Sequence, residues 1–121
     1  MTATLMCALD STKPMRLLFI CNQGRHRSRT AAELLREEHE TRYRGVYDNP
    51  LTEDDLVWAD VVLVMETHQR TVIARQFPTQ YLRSRILVLD VPDVYSYGQP
   101  ELVKMLQQRL NGLLPSIRAV S

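Results

Sequence analysis

No apolar run in the 121-residue sequence approaches the roughly 18 residues that a membrane-spanning helix needs. An excess of charge of one sign is also missing, since 15 basic against 14 acidic residues leave a formal net charge of +1. That balance argues against a protein whose main task is gripping nucleic acid or an anionic membrane, and neither is expected as a partner. Cysteine is scarce: Cys7 lies in a polar lead-in and Cys21 follows an apolar run, so free thiols are expected rather than a disulfide framework. Three scattered histidines, His26, His39 and His68, complete no zinc-like spacing with them, and neither a metal nor another cofactor is expected. The opening MTATLMCALDSTKP lacks the basic start and long apolar stretch of a signal peptide, which makes the cytoplasm the expected compartment.

The chain is 45% hydrophobic, enough for one compact domain with a single core that needs no covalent staples. Residues 1–14 show no periodicity and read as a loose N-terminal extension, leaving 15–121 as the folded domain. Met15 to Ile20 is a short, nearly continuous apolar run of the kind a buried parallel strand uses. Asp60 to Met65 and Arg85 to Leu89 repeat that signal, and Thr41 to Val46 is a weaker version. Between them, Thr30 to Glu40 and Thr67 to Phe77 read as helices, the second stopped by Pro78. Thr52 to Asp55 has the form of a capping box before a brief helix, at whose end Trp58 reads as a packing residue. A last helix starts at Pro100, with Leu102, Val103, Leu106, Leu110 and Leu113 forming one apolar stripe. Alternating strands and helices predict an α/β domain of three layers around a parallel sheet. Ligands of such sheets bind beyond the carboxyl ends of the strands, where Cys21, Met65 with Glu66, and Asp90 to Asp93 are all expected.

The chemistry concentrates in the loop CNQGRHRS, Cys21 to Ser28, between the first strand and the first helix. A cysteine, five residues, an arginine and a serine each have a role in phosphoryl transfer. The thiolate is the nucleophile. Backbone N–H groups of a loop entering a helix make a nest for an anion, here Asn22, Gln23, Gly24, Arg25, His26, Arg27 and Ser28. The same dipoles, with Arg27, lower the Cys21 pKa. The Arg27 guanidinium can grip two phosphate oxygens at once, and Ser28 can donate to the thiolate as it leaves. The alternative makes Cys21 a small strand-end residue and Arg25, Arg27 and Arg29 a solvated helix start.

With the strand, the C-x-x-x-x-x-R-S loop, the later VVLVME and the acidic segment Pro92 to Tyr97, residues 15 to about 114 resemble the low-molecular-weight protein tyrosine phosphatase family, in its shorter branch. The resemblance implies a four-stranded parallel sheet flanked by helices, a cysteinyl-phosphate mechanism, and no metal. It implies Asp93 as the general acid, with Asp90 the runner-up because it ends the third strong strand. Tyr95 and Tyr97 are then candidates for a wall against an aromatic phosphoester, or else simply cover the core edge. The implied partner is a phosphorylated protein or a small aryl phosphate. Several positions depart from the family pattern. Gly24 stands where an asparagine braces the loop, His26 where many members carry a second cysteine, Arg29 where proline is common, and Val94 where proline follows the acid.

Three other functions are compatible with a thiol in an anion loop. An arsenate reductase relays oxidation through further cysteines, and none follows Cys21. A rhodanese-like sulfur transferase has less use for the Arg27–Ser28 pair and the acidic aromatic loop. A non-catalytic phosphate-binding module would not need Cys21, Arg27, Ser28 and an acid together.

Overall fold

The computed structural model describes residues 14–118; Cys7 and nearly all of the expected extension lie outside them. Four strands, β1 (Arg16–Cys21), β2 (Glu40–Gly45), β3 (Val61–Val64) and β4 (Ile86–Val88), form one sheet in the order β2-β1-β3-β4. Every pairing is parallel, with Phe19 set between Tyr43 and Leu63 and Cys21 opposite Gly45. The connections carry helices α1 (Arg27–Leu35), α2 (Glu53–Trp58), α3 (Thr67–Gln76) and α4 (Pro78–Arg83), and α5 (Pro100–Arg118) closes the chain.

Why β1 and β3 read as unbroken apolar runs is clear from their surroundings. Successive strand side chains point to opposite faces of a sheet, and here both faces are covered. Leu17, Phe19, Cys21, Val61, Leu63 and Met65 pack with Ala31 and Ala32 of α1 and with Leu102, Leu106 and Leu110 of α5. Leu18, Ile20, Val62 and Val64 pack on the other face with Leu56 of α2 and Ile73 of α3. Each such fully buried Leu, Val or Phe contributes roughly 1.5–3 kcal/mol relative to exposure, so the central strands are the most firmly held part of the molecule. The three-layer α/β architecture expected from the sequence is the one observed.

Two helices differ from expectation. α1 begins at Arg27 rather than Thr30 and ends at Leu35, because the last residues of the loop wind directly into its first turn. Pro78 does end the helix before it, yet it also opens α4 at the first helical position, where its missing N–H leaves no bond unmade. The capping box of α2 is formed: Thr52 N–H donates to Asp55 Oδ2 at 3.0 Å, and Asp55 N–H donates to Thr52 Oγ1 at 3.2 Å. A second capping box, Glu66 with Gln69, opens α3.

The strand ends converge. Met65 N–H donates to the Ile20 carbonyl and Val91 N–H to the Met65 carbonyl, so the segments after β1, β3 and β4 lie side by side at one edge of the sheet.

Candidate active site

Cys21, the last residue of β1, points to the sheet face that α1 covers and is 3% exposed. Its Sγ lies 3.1 Å from Ser28 Oγ and accepts the Gly24 N–H at 3.1 Å. Burial alone would raise the thiol pKa. The Ser28 hydroxyl and the backbone N–H groups of Ser28, Gly24 and Arg25 outweigh that penalty and hold it below the usual value. The sign decides a measurable behaviour. Lowering the pH from 8.5 to 7 should slow alkylation of Cys21 by iodoacetate less than it slows an ordinary thiol, whose rate falls about tenfold for each unit well below its pKa of about 8.5. An alkylation rate that tracks an ordinary thiol would remove the thiolate from the account.

The loop closes because of two glycines. Gly24 has φ +64°, and a Cβ there would sit 2.5 Å from the Gly45 nitrogen. Gly45 is equally confined, since its Cβ would fall 2.2 Å from the Asp48 carbonyl oxygen. The left-handed turn and the close approach of two backbones both require the bare residue. The brace that an asparagine would give at position 24 comes from another segment: Asn49 Nδ2 donates to the carbonyls of Gly24 and Tyr43, each at 3.2 Å.

Arg27, on the first turn of α1, is 1% exposed and turned inward beneath the loop. One guanidinium nitrogen, Nη1, donates to Glu66 Oε1 and to the Val91 carbonyl, both at 2.6 Å. Nη2 has no hydrogen-bond partner although it is buried, and lies 3.6 Å from Asp93 Oδ2. A buried donor left unmade in this way costs about 1–3 kcal/mol, more for a charged group, unless something arrives to accept it.

A cavity of about 120 Å³ opens here, lined by Cys21, Asn22, Gln23, His26, Arg27 and Asp93. Asp93 is half-exposed and is held by Asn22 Nδ2, which donates to its Oδ2 at 3.0 Å. Asp90 is exposed, takes φ +59° just after β4, and is not part of the lining. A larger cavity of about 500 Å³ adjoins the outer side of the loop, between Gly24, Arg25, His26, Arg29, Tyr43, Asn49 and Tyr97, without reaching Sγ. Tyr97 packs on α1, its ring 4.1 Å beneath the Arg29 guanidinium and its hydroxyl donating to Glu33. Tyr95 is half-buried against the core. Neither tyrosine lines the cavity above the thiol. Arg25 is an exposed rim residue paired with Asp48 at 2.6 Å.

The sequence places Glu66 at this edge but does not pair it with Arg27, and it does not single out Gln69. Glu66 anchors Arg27 from 39 positions away, and the buried Gln69 binds the end of β3. The E-T-H-Q spacing of a capping box was the one available hint. Among the described residues, no three His, Cys, Asp or Glu side chains come together as a metal-binding group, and no helix is long and apolar enough to cross a membrane.

Compared with known families and with curated proteins, the sequence matches none. Solved structures do match. A YwlE arginine phosphatase carrying a phosphorylated active-site serine in place of cysteine superposes with a TM-score of 0.65 at 21% identity, over 88% of this chain and 100% of that one. The tyrosine phosphatase Wzb from Escherichia coli K30, in complex with phosphate, gives a TM-score of 0.68 at 18% identity, over 84% and 96% of the two chains. A low-molecular-weight protein tyrosine phosphatase from T. tengcongensis gives 0.60 at 20%, over 88% and 96%. Sheet order, parallel pairing and the coverage of both chains agree on one architecture: this chain has the low-molecular-weight protein tyrosine phosphatase fold.

Proposed function

We propose that the protein is a cysteine-dependent phosphomonoester hydrolase in which Cys21 is the nucleophile, Arg27 the phosphate clamp and Asp93 the general acid. One observation carries the reading: Arg27, one of whose guanidinium nitrogens is buried without a hydrogen-bond partner, lines the same small polar cavity as a cysteine with a lowered pKa. A phosphoryl group satisfies both, since its oxygens accept from Nη2 and from the loop N–H groups while its phosphorus faces the sulfur.

In the first half-reaction the Cys21 thiolate attacks phosphorus, the P–O bond to the leaving group breaks, and Asp93 gives that oxygen its proton. In the second, water attacks the cysteinyl phosphate, Asp93 takes a proton from the water, and the S–P bond breaks. Ser28, 3.1 Å from Sγ, donates to the thiolate as it is released. The Arg27 clamp is held in plane by Glu66 and the Val91 carbonyl, so charge shifting onto the equatorial oxygens meets donors already in place. A thiolate nucleophile with no second loop cysteine works in a reducing compartment, and the cytoplasm is the location this chemistry fits.

Phosphotyrosine in a protein is the first substrate class to try. Phosphoarginine, where a P–N bond would break in place of the P–O bond and the leaving nitrogen would take the proton, is the second, favoured by the absence of Phe, Tyr and Trp from the cavity lining and by the fold shared with the arginine phosphatase YwlE. Hydrolysis of phosphotyrosine, phosphoarginine and phosphoserine peptides in parallel tests the choice, with Cys21→Ser as the control. A reductase or sulfurtransferase would leave all three untouched while consuming arsenate or thiosulfate.

The acid can be tested separately. Asp93→Asn should slow phenyl phosphate hydrolysis about 10²-fold or more, because phenolate is a poor leaving group without a proton. An activated aryl phosphate should lose far less. Asp90→Asn should leave both rates near wild type. Equal losses on both substrates in Asp93→Asn, with the selective pattern in Asp90→Asn, would move the role to Asp90.

A further inference from the structure

A chain of side-chain amides runs from the end of β3 to Asp93, and its polarity is fixed at the buried end. Gln69 is fully buried, and its Oε1 accepts the backbone N–H groups of Met65 at 2.8 Å and Glu66 at 3.0 Å. Backbone donors cannot reverse, so the Gln69 amide has one orientation, with Nε2 directed at Asn22. Asn22 Oδ1 therefore accepts, from Gln69 Nε2 at 3.1 Å and from His68 Nε2 at 2.7 Å. With its oxygen so engaged, Asn22 turns Nδ2 outward, and that nitrogen donates to Asp93 Oδ2 at 3.0 Å. Turning the Asn22 amide over would set donor against donor on one side and oxygen against carboxylate on the other. The Asn22 main chain is pinned as well, its carbonyl accepting the N–H groups of Val46 and Tyr47.

We infer that Asn22 is the positioning residue for the general acid: its amide holds one oxygen of Asp93, leaving the other oxygen to give the proton to the leaving group and take it back from water. The inference rests on the reading of Asp93 as the acid. Without the amide, the half-exposed carboxylate would keep only its 3.6 Å ion pair with Arg27 Nη2 and sample more rotamers, and ordering it beforehand is the kind of restraint that gains rate without touching substrate. His68 is a second donor to the same oxygen, so the chain does not depend on it.

The test compares phenyl phosphate with an activated aryl phosphate in the full-length protein. Asn22→Leu should lose about tenfold in kcat on phenyl phosphate and within about twofold on the activated ester. The double variant Asn22→Leu/Asp93→Asn should be no slower than Asp93→Asn within about twofold, since Asn22 acts only through Asp93. Asn22→Ala removes the same donor with a smaller, uncharged side chain, so it should show the same selective loss if the leucine variant does not fold. Equal losses on both substrates, or losses that multiply with those of Asp93→Asn, would make Asn22 a loop-shaping residue and overturn the inference. A second readout needs no turnover: the Asn22 side-chain amide resonances should move in Asp93→Ala and stay in Asp90→Ala. Unmoved resonances overturn the Asn22–Asp93 link whatever the enzyme hydrolyses. Failure of the phosphatase reading has its own signature, wild-type hydrolysis that is absent or survives Cys21→Ser.

Discussion

Cys21→Ser is expected to cut turnover by about 10⁴-fold or more while phosphate or vanadate still binds. The substitution preserves the backbone cradle, because Cys21 lies at the end of a strand whose pairing with Gly45 involves no side chain. What disappears is the proposed thiolate nucleophile: a serine hydroxyl does not ionise near neutral pH, and the hydrogen-bond partners of Cys21 Sγ among the described residues, the Ser28 hydroxyl and the Gly24 N–H, are not bases that could take its proton. The donors that lower the Cys21 pKa, Ser28, Gly24 and Arg25 among them, would then face a neutral oxygen. Steady-state rates and vanadate titration on the same preparation check both halves. Substantial hydrolysis by a contaminant-free Cys21→Ser preparation would exclude covalent catalysis at this sulfur.

Arg27→Lys should lose about 10²–10³-fold in kcat, the scale of removing one pre-placed donor to developing charge. Charge is conserved, so the loss measures geometry. Lysine offers a single ammonium where Arg27 spans Glu66 and Val91 with one nitrogen and keeps the other without a hydrogen-bond partner, 3.6 Å from Asp93. If the ammonium binds Glu66, the phosphate loses its clamp; if it turns to the phosphate, the Glu66 carboxylate and the Val91 carbonyl lose their donor. KM should change less than kcat, because the second phosphate contact matters most as charge spreads in the transition state. Arg25→Ala supplies the contrast. Its exposed pair with Asp48 belongs to the class worth at most about 1 kcal/mol, and activity should fall only slightly. Equal damage from Arg25→Ala and Arg27→Ala would mean the loop is read in the wrong register.

The parts of the fold visible in the sequence are those fixed by burial on both faces of the sheet. Leu17 to Ile20 and Val61 to Val64 are apolar at every position because α1 and α5 cover one face and α2 and α3 the other. The thiol, the guanidinium and the hydroxyl to which the proposal gives roles were also visible, because eight consecutive residues carry them and a strand-to-helix turn needs that compactness. Other contacts had no such local trace. Glu66 with Arg27, Gln69 with Asn22 and Asn22 with Asp93 join residues 39, 47 and 71 positions apart. They depend on how neighbouring strand ends line up, which no period of the sequence records. Asn49 illustrates the same point, bracing Gly24 from 25 residues away in place of a side chain within the loop. Pro78 ends one helix as expected, but the helix it opens was not anticipated, because the property that ends one helix also suits the first position of the next.

The central claim is that phosphate passes through the Cys21 sulfur. Mixing the enzyme with an activated aryl phosphate, quenching in acid within milliseconds and mapping the phosphoryl group by mass spectrometry tests it directly. The expected result is a phosphorylated peptide containing Cys21, formed in a burst and lost at the rate of the second half-reaction. Full turnover with no phosphate on Cys21, or with phosphate on His26 instead, would contradict it.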